Sequence, residues 1–144
     1  MNLVRCIVAV GFLTLCVEVQ AKELAIIANK AYPAHGISLE MLKEIYLGNK
    51  TVEQSVRILP VDQEDPAIKK RFVEEILGGT VQRFDAYWFM KKFKDGVVPP
   101  IVRESSPDVI LFLEREVGAI GYVWGDEVQG KSGIKVLRVI EVGE

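Results

Sequence analysis

The chain is poor in the residues from which catalytic and metal centres are usually assembled. Its 144 residues include a single histidine, His35, and two cysteines, Cys6 and Cys16. A zinc site needs several nitrogen or sulfur ligands, and a nucleophilic relay needs a base beside its nucleophile. Neither set is present, and His35 reads as a solvated loop residue. The sequence also lacks a G-x-S-x-G elbow, a phosphate-loop pattern and a G-x-G-x-x-G turn. Basic runs are absent too: 18 Lys plus Arg stand against 20 Asp plus Glu, for a net charge of −2. That removes the electrostatic footprint that nucleic-acid binding requires. No nucleic acid partner, metal, cofactor or catalytic residue is expected, and the hydrolase class is set aside for want of a base.

A long hydrophobic run is missing as well. The longest uncharged apolar stretch, Cys6 to Val17, falls short of the roughly 20 helical residues that cross a bilayer. Preceded by Arg5 and followed by the short residues of Val19-Gln20-Ala21, it reads instead as a secretory signal peptide over residues 1–21, cleaved after Ala21. Leu15 before Cys16 argues against a lipoprotein site, where a small residue is needed. Arg5 and Glu18 leave together, so the net charge stays at −2, and both cysteines leave with them. Residues 22–144 then form one thiol-free domain, which excludes disulfides, thiolate nucleophiles and cysteine-ligated metals. A periplasmic location follows from the export signal.

What the mature chain does contain is an alternation of strands and helices. Leu24 to Ala28 is a short continuous apolar run, suited to a strand buried on both faces. Ser38 is placed to cap a helix carrying Leu39, Leu42, Ile45 and Tyr46, with Gly48 as its stop. Val56 to Val61 predicts a second strand, with Pro60 near its end. Asp65-Pro66 opens a helix through Ile68, Phe72, Ile76 and Leu77, and Thr80 opens another in which Phe84 and Trp88 face inward. Helical spacing assigns the aromatic block, Tyr87 and Phe89 with Phe93, to core packing. Ser105-Ser106-Pro107 caps a fourth helix. Ala119 to Trp124 and Lys135 to Val142 predict two closing strands joined by a turn at Gly130 and Gly133, and Gly118 to Gly121 reads as a turn into the first. The whole is one α/β domain, a sheet flanked by four helices.

Ligands of α/β sheets bind outside the carboxyl ends of strands. Asn29, Asp62, Gln63, Ser105 and Tyr122 lie at or near strand ends and are the candidate ligand-binding residues, expected to converge on one rim. The acidic turn Asp62-Gln63-Glu64-Asp65 is the one carboxylate cluster off a helix face, and capping by Asp65 is its structural alternative.

Several of these pieces, in order, resemble a known family. Ala28-Asn29-Lys30, the run from Ile37 to Gly48, Pro60-Val61-Asp62-Gln63, Phe72 and Gly118 to Val123 look like the phosphate-type substrate-binding proteins of ABC transporters. Ala86-Tyr87-Trp88 with Gly96 and Pro99-Pro100 is similar to a short, single-lobe branch of that group. The resemblance implies one lobe of a periplasmic-binding-protein type II fold with a mixed sheet, a role in solute transport or sensing, and no enzymatic activity. It implies a small solute as ligand and a membrane transporter or sensor as partner. Two departures bear on this. The anion-binding Ser-Gly-Thr turn of full-length members is replaced by Asp62 to Pro66, whose carboxylates disfavour phosphate by about 1 kcal/mol or more per close pair. The chain also supplies only half of a two-lobe cleft, to be completed by a second copy in a homodimer or by another chain, unless the lobe acts as a ligand-free adaptor through its surface.

Cleavage after Ala21 predicts that protein recovered from the cell envelope begins Lys22-Glu23-Leu24. N-terminal sequencing or intact mass that finds residues 1–21 retained would refute the signal-peptide assignment.

Overall fold

A computed structural model describes residues 22–143; the expected signal peptide lies outside the described residues. Strand β1 (Lys22–Asn29) is followed by helix α1 (Leu39–Tyr46), a small hairpin of β2 (Val52–Glu53) and β3 (Val56–Arg57), and strand β4 (Leu59–Gln63). Helix α2 (Pro66–Phe72) continues into a π-helical turn, Val73–Leu77, before α3 (Val81–Asp95), β5 (Ile101–Arg103), α4 (Ser106–Arg115), β6 (Ala119–Trp124) and β7 (Ile134–Val142). The main sheet has the order β5-β4-β6-β1-β7. Strands β4, β5 and β6 are parallel, and β1 runs antiparallel to both β6 and β7.

The helices start where the expected caps stand. Ser38, Asp65 and Thr80 each accept a hydrogen bond from a backbone N–H of the first turn, at 3.0, 3.0 and 3.2 Å. Gly78 closes the π-helical turn in the left-handed region, its N–H reaching back five residues to Val73.

The sheet separates two cores, which accounts for the unbroken apolar run of β1. Leu24, Ile26 and Ala28 face Tyr46, Phe72 and Trp88 on the side of α1, α2 and α3. Ala25 and Ile27 face Val109, Ile110 and Leu113 of α4 on the other. A strand buried on both faces cannot alternate apolar with polar residues. Gly118 and Gly121 permit close approach: a Cβ on Gly118 would lie 1.9 Å from the Arg57 carbonyl oxygen, and one on Gly121 2.9 Å from Val109 Cγ1.

Three sequence expectations are corrected. The predicted strand Val56 to Val61 is two strands, because Val56–Arg57 turns back onto β2 while Leu59 onward pairs in the main sheet. The two closing strands are not neighbours, since β1 lies between them. Within the aromatic block, Phe84 and Trp88 are buried, but Phe89 and Phe93 are exposed at 64% and 76%. The stripe at 84 and 88 takes the inward face of α3, and the stripe at 89 and 93, about 100° further around, therefore points outward. Strand β7 forms one edge of the sheet and carries an irregularity opposite Ile26 and Ile27, where its register against β1 skips Leu137.

Because the Gly118 contact is with backbone, relief requires displacement of the chain at Arg57. Gly118→Ala should lower stability by about 1–3 kcal/mol, whereas Gly79→Ala, with open space around it, should shift it by no more than about 0.5 kcal/mol. Urea unfolding of both variants checks the difference, and equal midpoints would contradict the packing described.

Candidate functional site

The carboxyl ends of β4 and β5 lead directly into α2 and α4, and most of the candidate residues gather there. Asp62 points to the α2 side of the sheet and is buried. Its Oδ1 accepts a 2.5 Å hydrogen bond from the Tyr122 hydroxyl and one of 2.9 Å from the Gln63 N–H. Its Oδ2 lies 2.9 Å from Lys69 Nζ, which also contacts Asp85 of α3 at 3.2 Å. Lys69 reaches back because it sits one turn into α2, four residues beyond the Asp65 cap. Tyr122 stacks on Phe72 with ring centroids 3.9 Å apart, and Tyr46 meets Phe72 edge-on at 4.6 Å. The Tyr46 hydroxyl donates to the Val61 carbonyl at 2.7 Å.

Gln63, one residue on, faces α4. Its side-chain amide donates to the Tyr122 carbonyl at 2.7 Å and its amide oxygen accepts from the Ser106 hydroxyl at 3.4 Å. Ser105 is the N-cap of α4, but its hydroxyl makes no cap bond. The geometry thus unites Asp62, Gln63 and Tyr122, places Ser105 at the same end, and adds Ser106, Lys69 and Tyr46. Asn29 is the exception. It ends β1, which runs antiparallel to β6, so it lies at the opposite end of the sheet, donating to the Leu113 carbonyl at 2.7 Å and accepting from Ala31 N–H. Nothing in the linear order signalled that β1 is reversed.

Arg103, at the end of β5 and paired in register with Gln63, was not among the sequence candidates. Its guanidinium lies 4.4 Å from the centre of the Phe112 ring, its Nε is buried without a hydrogen-bond partner, and among the described residues no carboxylate lies within 4.0 Å of it. The only sequence signal was a lone basic residue before a capped helix.

These contacts fix the electrostatics. Burial, followed by the Asp62 carboxylate, holds the Tyr46 and Tyr122 hydroxyls well above the usual tyrosine range. Burial works against the Lys69 ammonium, but attraction to Asp62 outweighs it and the pKa is raised. Burial and then Glu53 push Tyr32 up to about 12. Groups with raised folded pKa values favour folding fully below their unfolded values, and that advantage is lost as pH rises through the folded ones. The chemical capacity of the cluster is structural: its one buried carboxylate and its ammonium neutralise each other. Among the described residues there is no group of three or more His, Cys, Asp or Glu placed to hold a metal.

Two measurements test this cluster. Tyr122→Phe should cost about 1.5–3 kcal/mol by removing a hydrogen bond to a charged acceptor, and Asp62→Asn should cost more, because Lys69 loses its buried counter-charge and keeps only the exposed Asp85, while the Tyr122 and Gln63 donors lose a charged acceptor. Stability should hold up to about pH 10, the ordinary tyrosine value, and fall above it. The tyrosinate absorbance of Tyr46 and Tyr122 should appear only as far-UV circular dichroism is lost; ionisation within the folded protein would contradict their burial.

No protein-family model matches the chain, and no curated protein matches it. Solved structures do. An ABC-type phosphate transport receptor from Vibrio cholerae aligns at 17% identity with a TM-score of 0.54, covering 81% of this chain and 46% of the receptor. PstS from Borrelia burgdorferi aligns at 16% identity with a TM-score of 0.64, covering 81% of this chain and 47% of PstS. The chain therefore spans less than half the length of these two structures. Its mixed five-stranded sheet and four helices have the fold of a single lobe of these binding proteins.

Proposed function

We propose that residues 22–144 act outside the cytoplasm as a solute-binding-type lobe serving transport or sensing, exported by residues 1–21 and without catalytic activity. The observation that carries this reading is the likeness of about four fifths of the chain to one lobe of phosphate-binding transport proteins. The β4–α2 and β5–α4 turns lie together at one end of that lobe, as a binding rim requires.

The chemistry of the rim narrows the solute. The Asp65 carboxylate occupies the N-terminus of α2, accepting from Ala67 N–H, and Pro66 supplies no N–H there. An anion at α2 would meet a carboxylate rather than donors, which disfavours phosphate at that position. The uncommitted groups are the Ser105 hydroxyl and the Arg103 guanidinium, and a small anionic solute suits that pair better than a cation. A second copy in a homodimer would supply the missing half of a cleft.

A second reading, a ligand-free periplasmic adaptor or accessory protein that contacts a membrane sensor or a cell-envelope partner, is favoured by one feature. Phe89, Met90 and Phe93 stand exposed together on α3, an apolar surface that solvent does not favour. Both readings are tested together. Titration calorimetry with phosphate, sulfate, inorganic cations and small amino compounds should give saturable heat for an anion, weakened about tenfold or more by Arg103→Ala. Silence across the panel sinks solute binding. A partner recovered from envelope extracts by the wild type but lost with Phe89→Ser plus Phe93→Ser would then establish the adaptor role.

A further inference from the structure

The other end of β4 and β5 has a different character. Where these strands begin, at Leu59, Pro60 and Ile101, they are covered by the last turn of α1, the β2–β3 hairpin and the loop after α3, with a groove of about 470 Å³ between them. That volume falls within the roughly 300–1,000 Å³ of small-molecule pockets. Its walls are Ile45, Ile58, Trp88, Val97 and Ile101.

The walls are fixed rather than incidental. Trp88 Nε1 donates to the Tyr46 carbonyl at 3.0 Å, which orients the indole. Its far edge packs on Gly48, where a Cβ would lie 2.7 Å from Trp88 Cη2 and 3.4 Å from Val97 Cγ1. Gly48 also takes φ +76°, so two constraints exclude a side chain that would fill the groove. Val52 and Val98, 48% and 66% exposed, continue the apolar surface on either side.

The charged lining has one sign. Lys50 and Arg57 line the groove, and no aspartate or glutamate does. Lys50 is 3.5 Å from Glu53, whereas Arg57 has no carboxylate within 4.0 Å among the described residues. An apolar slot with a cation at its margin suits a molecule with an apolar body and a single negative head. A polar anion such as phosphate would gain little from these walls, and an apolar cation would be repelled.

We propose that this groove binds a small amphipathic carboxylate, its alkyl or aryl body against Trp88 and its carboxylate at Arg57, with Lys50 nearby. The proposal is independent of the solute-binding reading, because the groove lies at the opposite end of β4 and β5 from Asp62, Arg103 and Ser105.

Decanoate below its micellar concentration is a suitable probe, and Trp124→Phe leaves Trp88 as the sole tryptophan reporter. Decanoate should change Trp88 emission saturably. Decanol and decyltrimethylammonium should bind at least tenfold more weakly, and phosphate should leave the emission unchanged. Arg57→Gln, at an exposed position, should weaken decanoate at least tenfold while circular dichroism stays native, and Val97→Trp should block it. Absence of saturation overturns the proposal. So does equal affinity for decanol or the ammonium amphiphile, or undiminished binding in Arg57→Gln. A phosphate titration that fails at the other rim leaves this result untouched.

Discussion

A buried carboxylate is costly unless its charge and lone pairs are met, and Asp62 is such a group. The requirement draws three elements into one arrangement. Strand β6 must present Tyr122 at its level, α2 must start so that Lys69 arrives one turn later, and α3 must approach closely enough for Asp85 to share Lys69. The carboxylate thus ties β6 and α2 to the end of β4 directly, and α3 through Lys69. Within the acidic turn, Asp62 bonds to Tyr122 and Lys69, and Asp65 caps α2.

Local physics made much of the fold readable. Ser38, Asp65 and Thr80 announce their helices because a side-chain oxygen followed by an apolar periodicity has few other stable outcomes. The run Leu24 to Ala28 declares a doubly covered strand by its lack of alternation. What the order of residues does not encode is which neighbour a strand selects. Inserting β1 between β6 and β7 is a long-range choice, and it moves Asn29 to the far end from Asp62. Within the candidate set, Gln63 and Tyr122 were recognisable from their strand-end positions. Arg103 was not, since its environment, the Phe112 ring against its guanidinium and no carboxylate within 4.0 Å among the described residues, exists only in the folded chain. The exposure of Phe89 and Phe93 was hidden because both aromatic stripes of α3 have the same spacing, and only packing against the rest of the core selects between them.

Strands β4 and β5 join two unlike ends. At their carboxyl ends polar groups bond one another, with the turns into α2 and α4 leaving few donors unpaired. At their amino ends the chain leaves space, kept by a glycine and an oriented indole. The strand ends that carry the polar cluster and those that carry the apolar groove are thus opposite ends of the same two strands.

The irregularity in β7 has a bearing on how the chain behaves in company. A nine-residue strand at a sheet edge is a template on which another chain's backbone can pair, and long regular edges lead to aggregates. By skipping Leu137, β7 breaks the spacing of its outward N–H and C=O groups near its middle, and Lys135, Arg138 and Glu141 place charges along the rest. The local misfit therefore interrupts the pairing template at the edge where the sheet is longest.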